Sequence, residues 1–155
     1  MVTYFFDTSA LVKRYRAQEP GAHRVQELFS AAERNLVVLN LAIVETLQAF
    51  YRLHQLGEIS AAERTVLVDS FYRDPDAHVT IYSVTTDHMF RAERLMEASL
   101  LLPILKKQPG VIDVLHLCAA LDFREEPLVF VSSDRDLSHL ARHEKLRILN
   151  PEESA

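Results

Sequence analysis

Four carboxylates in this sequence stand where an acid needs a reason. Asp7 follows directly on the aromatic and β-branched run Val2–Phe6, which has the composition of a strand buried on both faces. Glu45 sits within Leu41-Ala42-Ile43-Val44-Glu45-Thr46-Leu47, flanked by apolar residues on both sides. Asp113 opens an apolar helical pattern running through Leu121, which by its composition should be largely buried. Asp134 comes just past the apolar run Leu128–Val131, after Ser132 and Ser133. A charge at such a place is costly unless a metal ion, a basic side chain or the amides of a helix N-terminus compensate it. Taken singly, Asp113 and Asp134 are explained as ordinary acids of a first helical turn, and Glu45 as a core acid paired with an arginine. Taken together, the four are an oxygen-only donor set of the kind that suits hard cations such as Mg²⁺ or Mn²⁺. Ionised carboxylates do not crowd together without a cation or a proton.

The elements that must position these acids are legible as an alternation. After the first strand, Thr8 and Ser9 are N-cap residues for an amphipathic helix over 10–17, which Pro20-Gly21 interrupts. A second helical pattern runs through Val25, Leu28, Phe29 and Ala32, and residues 36–39 form a second apolar strand. Asn40 is placed to cap a long helix over 41–56, and Gly57 ends it as a left-handed residue does. Ser60 and Glu63 have the spacing of a capping box that opens a fourth helix, closed by Pro75. A strand over 79–84 and a helix from Thr86 to about Leu100 follow. The 101–110 segment, with Pro103, Pro109, Lys106 and Lys107, reads as irregular before a helix over about 112–123. The strand Leu128–Val131, a short helix to about Arg142 and an edge strand Arg147–Leu149 complete the pattern. Short apolar strands alternating with helices predict a parallel sheet covered on both faces, a three-layer α/β/α domain. In such a sheet the acids at strand ends lie on the carboxyl edge, where ligands bind.

Composition sets the bounds. At 155 residues, 48% hydrophobic and 25% charged, the chain is most simply one domain with a real core, over 1–150, followed by a polar tail over 151–155. No apolar run reaches the length of a membrane span. The N-terminus opens on a strand without signal-peptide regions, so a cytoplasmic protein with no membrane contact is expected. The single Cys118 argues against a structural zinc site and excludes an intramolecular disulfide. A net charge of −5 argues against a generic basic nucleic-acid binder. It does not exclude a nucleic-acid enzyme, because four carboxylates holding two divalent ions would bring the sum to about −1.

The ordered set Phe5-Phe6-Asp7-Thr8-Ser9-Ala10-Leu11, Val44-Glu45, Asp113-Val114-Leu115-His116-Leu117-Cys118-Ala119-Ala120 and Val131-Ser132-Ser133-Asp134-Arg135-Asp136-Leu137 resembles the PIN-domain ribonucleases. Within that family it most resembles VapC toxins of type II toxin–antitoxin pairs. Each motif alone is common; the four in order and at these separations are specific. The resemblance implies a PIN-like domain with a five-stranded parallel sheet in the order 3-2-1-4-5. It carries over Asp7, Glu45, Asp113 and Asp134 as the acidic quartet of a Mg²⁺- or Mn²⁺-dependent endoribonuclease holding one or two ions. Asp7 and Asp113 are then expected as direct ligands, with Glu45 completing the sphere or orienting the attacking water. Asp134 is expected to hold a second ion or its waters, and Asp136 is the other acid of that motif able to take this place. The resemblance further implies a homodimer and a cognate antitoxin whose peptide blocks the site.

Lesser candidates surround the quartet. Thr8 or Ser9 could hydrogen-bond a carboxylate or a phosphate, although capping explains either and is the better account of Ser9. His116, three residues after Asp113 on the same helical face, is more simply a satisfied core histidine than a ligand. Lys13, Arg14, Lys106, Lys107 and Arg135 are the cations best placed to meet RNA phosphates. Other strand-end-Asp enzymes fit less well. A haloacid dehalogenase-type phosphohydrolase needs a second Asp two residues on, where this chain has Ser9, and no receiver-domain acid pair with a strand-end Lys is present. The alternative from another class is a non-catalytic PIN-like RNA-binding or scaffold module.

Overall fold

The structure is a computed structural model that describes residues 1–74 and 78–153. Five strands, β1 (Val2–Phe6), β2 (Arg34–Leu39), β3 (Val79–Tyr82), β4 (Leu128–Val131) and β5 (Arg147–Leu149), form one parallel sheet in the order β3-β2-β1-β4-β5. Between them run α1 (Thr8–Leu11), α2 (Ala22–Ser30), α3 (Leu41–Gln55), α4 (Ala61–Arg73), α5 (Thr86–Leu100), α6 (Val111–Ala120) and α7 (Arg135–His143). The central strand explains the two cores. Its side chains alternate across the pleat, so Phe5 joins Leu95, Leu117 and Leu140 from α5, α6 and α7. Phe6 joins Leu11, Val25, Phe29 and Ala42 from the layer of α1, α2 and α3. Both phenylalanines are fully buried, and truncating either to alanine would cost about 3–5 kcal/mol.

Several local expectations give way to stronger partners. Asp7, not Thr8 or Ser9, is the N-cap of α1, its Oδ1 accepting from the Ala10 amide at 2.9 Å. The first helix is one turn continued by a 3-10 turn over Val12–Arg14 rather than a helix to residue 17. Asn40 precedes α3 without capping it by its side chain. Its Oδ1 instead accepts from the Val84 amide at 3.1 Å and its own amide donates to the Tyr82 carbonyl at 2.7 Å. That pairing draws the chain off the ladder after Tyr82, so β3 is two residues shorter than expected. The Ser60–Glu63 capping box forms and Gly57 takes the left-handed conformation at φ +75°. Pro75, expected to close α4, lies outside the described residues, as do residues 154 and 155 of the tail. The tail's first residues pack on the domain: Pro151 is buried, and Gly21, at φ +78°, lies so close to its carbonyl that no side chain would fit.

Candidate active site

The site begins where β1 and β4 continue side by side past their last residues. The Asp7 amide donates to the Val131 carbonyl at 3.1 Å, which brings the Asp7 carboxylate against the turn that follows β4. There Ser132, fully buried, donates from Oγ to Asp7 Oδ2 at 2.6 Å and accepts the Asp134 amide at 3.1 Å. Ser9 donates to both oxygens of Asp7, at 2.8 and 2.9 Å, and accepts the Ser133 amide at 2.9 Å. Two serines therefore stitch the first acidic motif to the last. Burial pushes Asp7, only 2% exposed, up from its ordinary 3.8 to about 6. The Ser132 hydroxyl, the charge of His116, the Ala10 amide and Ser9 all oppose that shift without cancelling it.

Glu45, in the second turn of α3, has one oxygen fully engaged. Thr8 donates its hydroxyl to Oε2, and His116 Nε2 lies 2.8 Å from the same atom. Burial resists the ionisation of Glu45, yet the His116 and Thr8 hydrogen bonds and the His116 charge outweigh it and hold the group below its usual range. His116 is buried, and its Nδ1 has no hydrogen-bond partner among the described residues. Reaching Glu45 from Nε2 accounts for its place in the core.

Asp113 is the third residue of α6, and its Oδ2 accepts the Gly110 amide at 2.9 Å. A Cβ on residue 110 would press to 2.9 Å from that same oxygen, so glycine lets the backbone approach. Burial raises the pKa of Asp113, and the charges of Asp134 and Glu45 raise it further, while the Gly110 amide and His116 oppose them. Asp134 caps α7, Oδ1 accepting from the Leu137 amide at 2.9 Å. Asp136, by contrast, is buried with Oδ1 on the Lys106 amide at 3.1 Å, and it is Asp134 whose charge reaches Asp113.

The structure thus gathers Asp7, Glu45, Asp113 and Asp134 at one edge, with Thr8, Ser9 and His116 holding two of them. Among the described residues no three His, Cys, Asp or Glu side chains converge on a ready metal position. The chemistry of the donors nonetheless fits a hard divalent cation: every donor is a carboxylate oxygen, burial makes Asp7 and Asp113 resist ionisation, and the charges of Asp134 and Glu45 burden Asp113. Asp113 and Asp134 each commit one oxygen to a helix cap, and Asp113 Oδ1, Asp134 Oδ2 and Glu45 Oε1 have no hydrogen bond among the described residues.

The cations divide. Lys13 is 3% exposed, with Nζ 2.7 Å from Glu152 and 3.5 Å from Glu19, so it faces no solvent. Arg14 makes two 3.1 Å hydrogen bonds to Asp74 and lies over the Phe29 ring. Lys106, Lys107 and Arg135 are exposed and their side chains make no ion pair among the described residues. Ser132 is the site residue that sequence reasoning passed over. A hydroxyl directly after a fully buried strand and two residues before an acid is the signal that could have found it.

A family profile described as the PIN domain matches residues 4–143 of this chain. No curated protein sequence matches it. Among solved structures, it is similar to VapBC2 from Rickettsia felis bound to a promoter DNA fragment (TM-score 0.65, 13% identity, 96% of this chain and 98% of that one covered). It is also similar to FitAcB from Neisseria gonorrhoeae (0.68, 11%, 96% and 97%). A third is VapC20 from Mycobacterium tuberculosis, described as a sarcin-ricin loop cleaving toxin (0.55, 17%, 88% and 93%). At these identities the likeness establishes a shared fold.

Proposed function

Because this chain belongs to the PIN-domain family, we propose that it is a divalent-metal-dependent endoribonuclease and the toxin of a toxin–antitoxin pair. The observation that carries the reading is the placement of Asp7, Glu45, Asp113 and Asp134 along one sheet edge, with burial holding both Asp7 and Asp113 above their ordinary range and the charges of Asp134 and Glu45 adding to that of Asp113. Acids so placed bind protons too well when no cation is present, which is the electrostatic condition of a metal centre. One or two bound Mg²⁺ or Mn²⁺ ions would supply Lewis acidity toward the phosphodiester and a more acidic water. Asp7 and Asp113 would hold the first ion, and Asp134 the second or its waters. Thr8 and His116 fasten Glu45 through Oε2, which leaves Oε1 to orient the attacking water. Ser9 and Ser132 fix the Asp7 carboxylate against rotation.

The toxin reading draws on the resemblance of the four motifs to VapC toxins and on the neighbours named above, one of them described as a sarcin-ricin loop cleaving toxin. An apolar groove of 250 Å³, lined by Leu11, Tyr15, Ile43, Phe71, Tyr72 and Ile81, suits the apolar side chains of an antitoxin peptide. Exposed Phe90, Leu100, Leu101 and Val111 favour a homodimer. Among the described residues no helix is long and apolar enough to cross a membrane, and an RNA substrate with a protein antitoxin belongs to the cytoplasm.

The deciding experiment incubates the purified protein with a pool of structured RNAs and Mn²⁺ or Mg²⁺, beside Asp113→Asn and an EDTA control. Fragments from the wild type alone, abolished by chelation, are expected. Identical silence from wild type and variant, with RNA still bound, would identify a non-catalytic PIN-like RNA-binding module instead.

A further inference from the structure

The 101–110 segment was expected to be irregular, and it is, but it is fastened at three points. The Lys106 amide donates to Asp136 Oδ1 at 3.1 Å. Two residues on, Gln108 Oε1 accepts from the Ser99 hydroxyl at 2.9 Å, tying the segment to the last turn of α5. At its end the Gly110 amide donates to Asp113 Oδ2. Asp136 is buried in the first turn of α7, next to Arg135 and two residues from Asp134. The segment is therefore strung from the helix that begins beside Asp113 to the helix capped by Asp134. It crosses between two members of the acidic quartet.

We infer that this strung segment is the RNA-binding rim of the site, with Asp136 as its positioning residue and Lys106, Lys107 and Arg135 as phosphate contacts; the inference rests on the nuclease reading for its ligand. A nucleic-acid strand approaching a cluster of four carboxylates on a chain of net charge −5 is repelled. Metal ions would offset that repulsion only at the scissile phosphate. The neighbouring phosphates need cations of their own, fixed close to the cluster. Lys13 and Arg14 are consumed by Glu152 and Asp74. Lys106, Lys107 and Arg135 are exposed and unpaired among the described residues, and the Asp136–Lys106 hydrogen bond brings all three to the same helix start. Asp136 gives up any outward role to do this, because its carboxylate faces the backbone of the segment.

The test separates the rim from the catalytic reading by measuring them on different proteins. RNA binding is measured on the Asp113→Asn background by anisotropy of a fluorescently labelled single-stranded RNA of mixed sequence, over a series of salt concentrations. Adding Lys106→Ala and Lys107→Ala together should weaken binding on the order of tenfold and lower the salt slope by about 1.4, at roughly 0.7 per phosphate contact on a single strand. On the otherwise wild-type chain, Asp136→Ala should raise KM more than it lowers kcat. Asp136→Asn should restore KM, because its amide oxygen still accepts from Lys106. If the wild type cleaves RNA but the lysine pair changes neither affinity nor slope, the rim is wrong and the nuclease stands. If nothing cleaves but binding depends on the lysine pair, the rim stands and the nuclease falls. Absence of both cleavage and binding overturns both. An Asp136→Ala enzyme whose KM is unchanged, or a KM that Asp136→Asn fails to restore, overturns the tether.

Discussion

Asp7 keeps its proton up to about pH 6 in the folded chain, against 3.8 for the ordinary group. Between those values the folded state binds more protons than the unfolded one, so stability falls as pH rises. This contribution is complete below the unfolded value and lost through pH 6, up to about 3 kcal/mol at 1.36 kcal/mol per pKa unit. Asp7→Asn keeps the capping oxygen and removes the titration. Metal-free urea melts at pH 5 and pH 8 should therefore show a loss in the wild type that the variant lacks, while the variant cleaves no RNA. Equal losses in both proteins would sink this account of Asp7. His116 offers a second test at the same scale. His116→Phe removes the Nε2 donor from Glu45 and should cost about 10–100-fold in activity and in Mn²⁺ affinity by calorimetry, as the loss of a partner that orients a ligand does. His116→Gln, with an amide donor at a similar reach, should recover part of both. The four carboxylates were readable because each stands within an apolar run or at its border. The work of Ser9 was misread because its hydroxyl serves Asp7 and the Ser133 amide across the sheet edge. A cap is a local rule, whereas the Ser133 partner is 124 residues away.

Elements beyond the site follow the same division. Whereas the strand order came from the family resemblance of the four motifs, the parallel sheet and its two covering layers were legible from the alternation of short apolar strands with helices. The length of β3 was not, because it depends on Asn40 capturing the Val84 amide from a neighbouring strand end. Asp122 was equally silent in the sequence. It follows α6 and accepts from Tyr82 Oη at 2.8 Å and Arg91 at 2.7 Å, with His88 Nε2 at 2.7 Å. One carboxylate thereby ties β3, α5 and α6 together about 13 Å along the helix from Asp113, at ~1.5 Å per residue. Asp122→Ala strands the buried His88 donor and should cost about 1–3 kcal/mol in chemical denaturation. RNA cleavage at a temperature where the variant is folded should stay near wild type, and a parallel collapse of activity would mean that the network reaches the catalytic edge.

At the scale of the molecule, Phe90 and Leu101 are 77% and 73% exposed, a poor arrangement for a lone chain. Light scattering should return the mass of a dimer, and Phe90→Asp should shift it toward the monomer. Residues 151–153 are part of the domain rather than a solvated appendage. Glu152 neutralises Lys13, itself 3% exposed, and Arg24 donates to the Glu153 carbonyl. Glu152→Ala leaves that lysine with Glu19 at 3.5 Å and should cost roughly 1–3 kcal/mol. Lys13→Met, which removes the buried charge itself, should cost less. Composition marked residues 151–155 as polar and could not show that a buried cation thirteen residues from the start awaits them. This return of the chain also orders events during synthesis. Asp7 leaves the ribosome 125 residues ahead of the Ser132 hydroxyl that fixes it, and the acid that settles Lys13 comes later still. A nascent chain carries the first ligand long before it carries a centre. If the protein cuts RNA, the message that encodes it is read past the codon for Ser132 before the product can attack it.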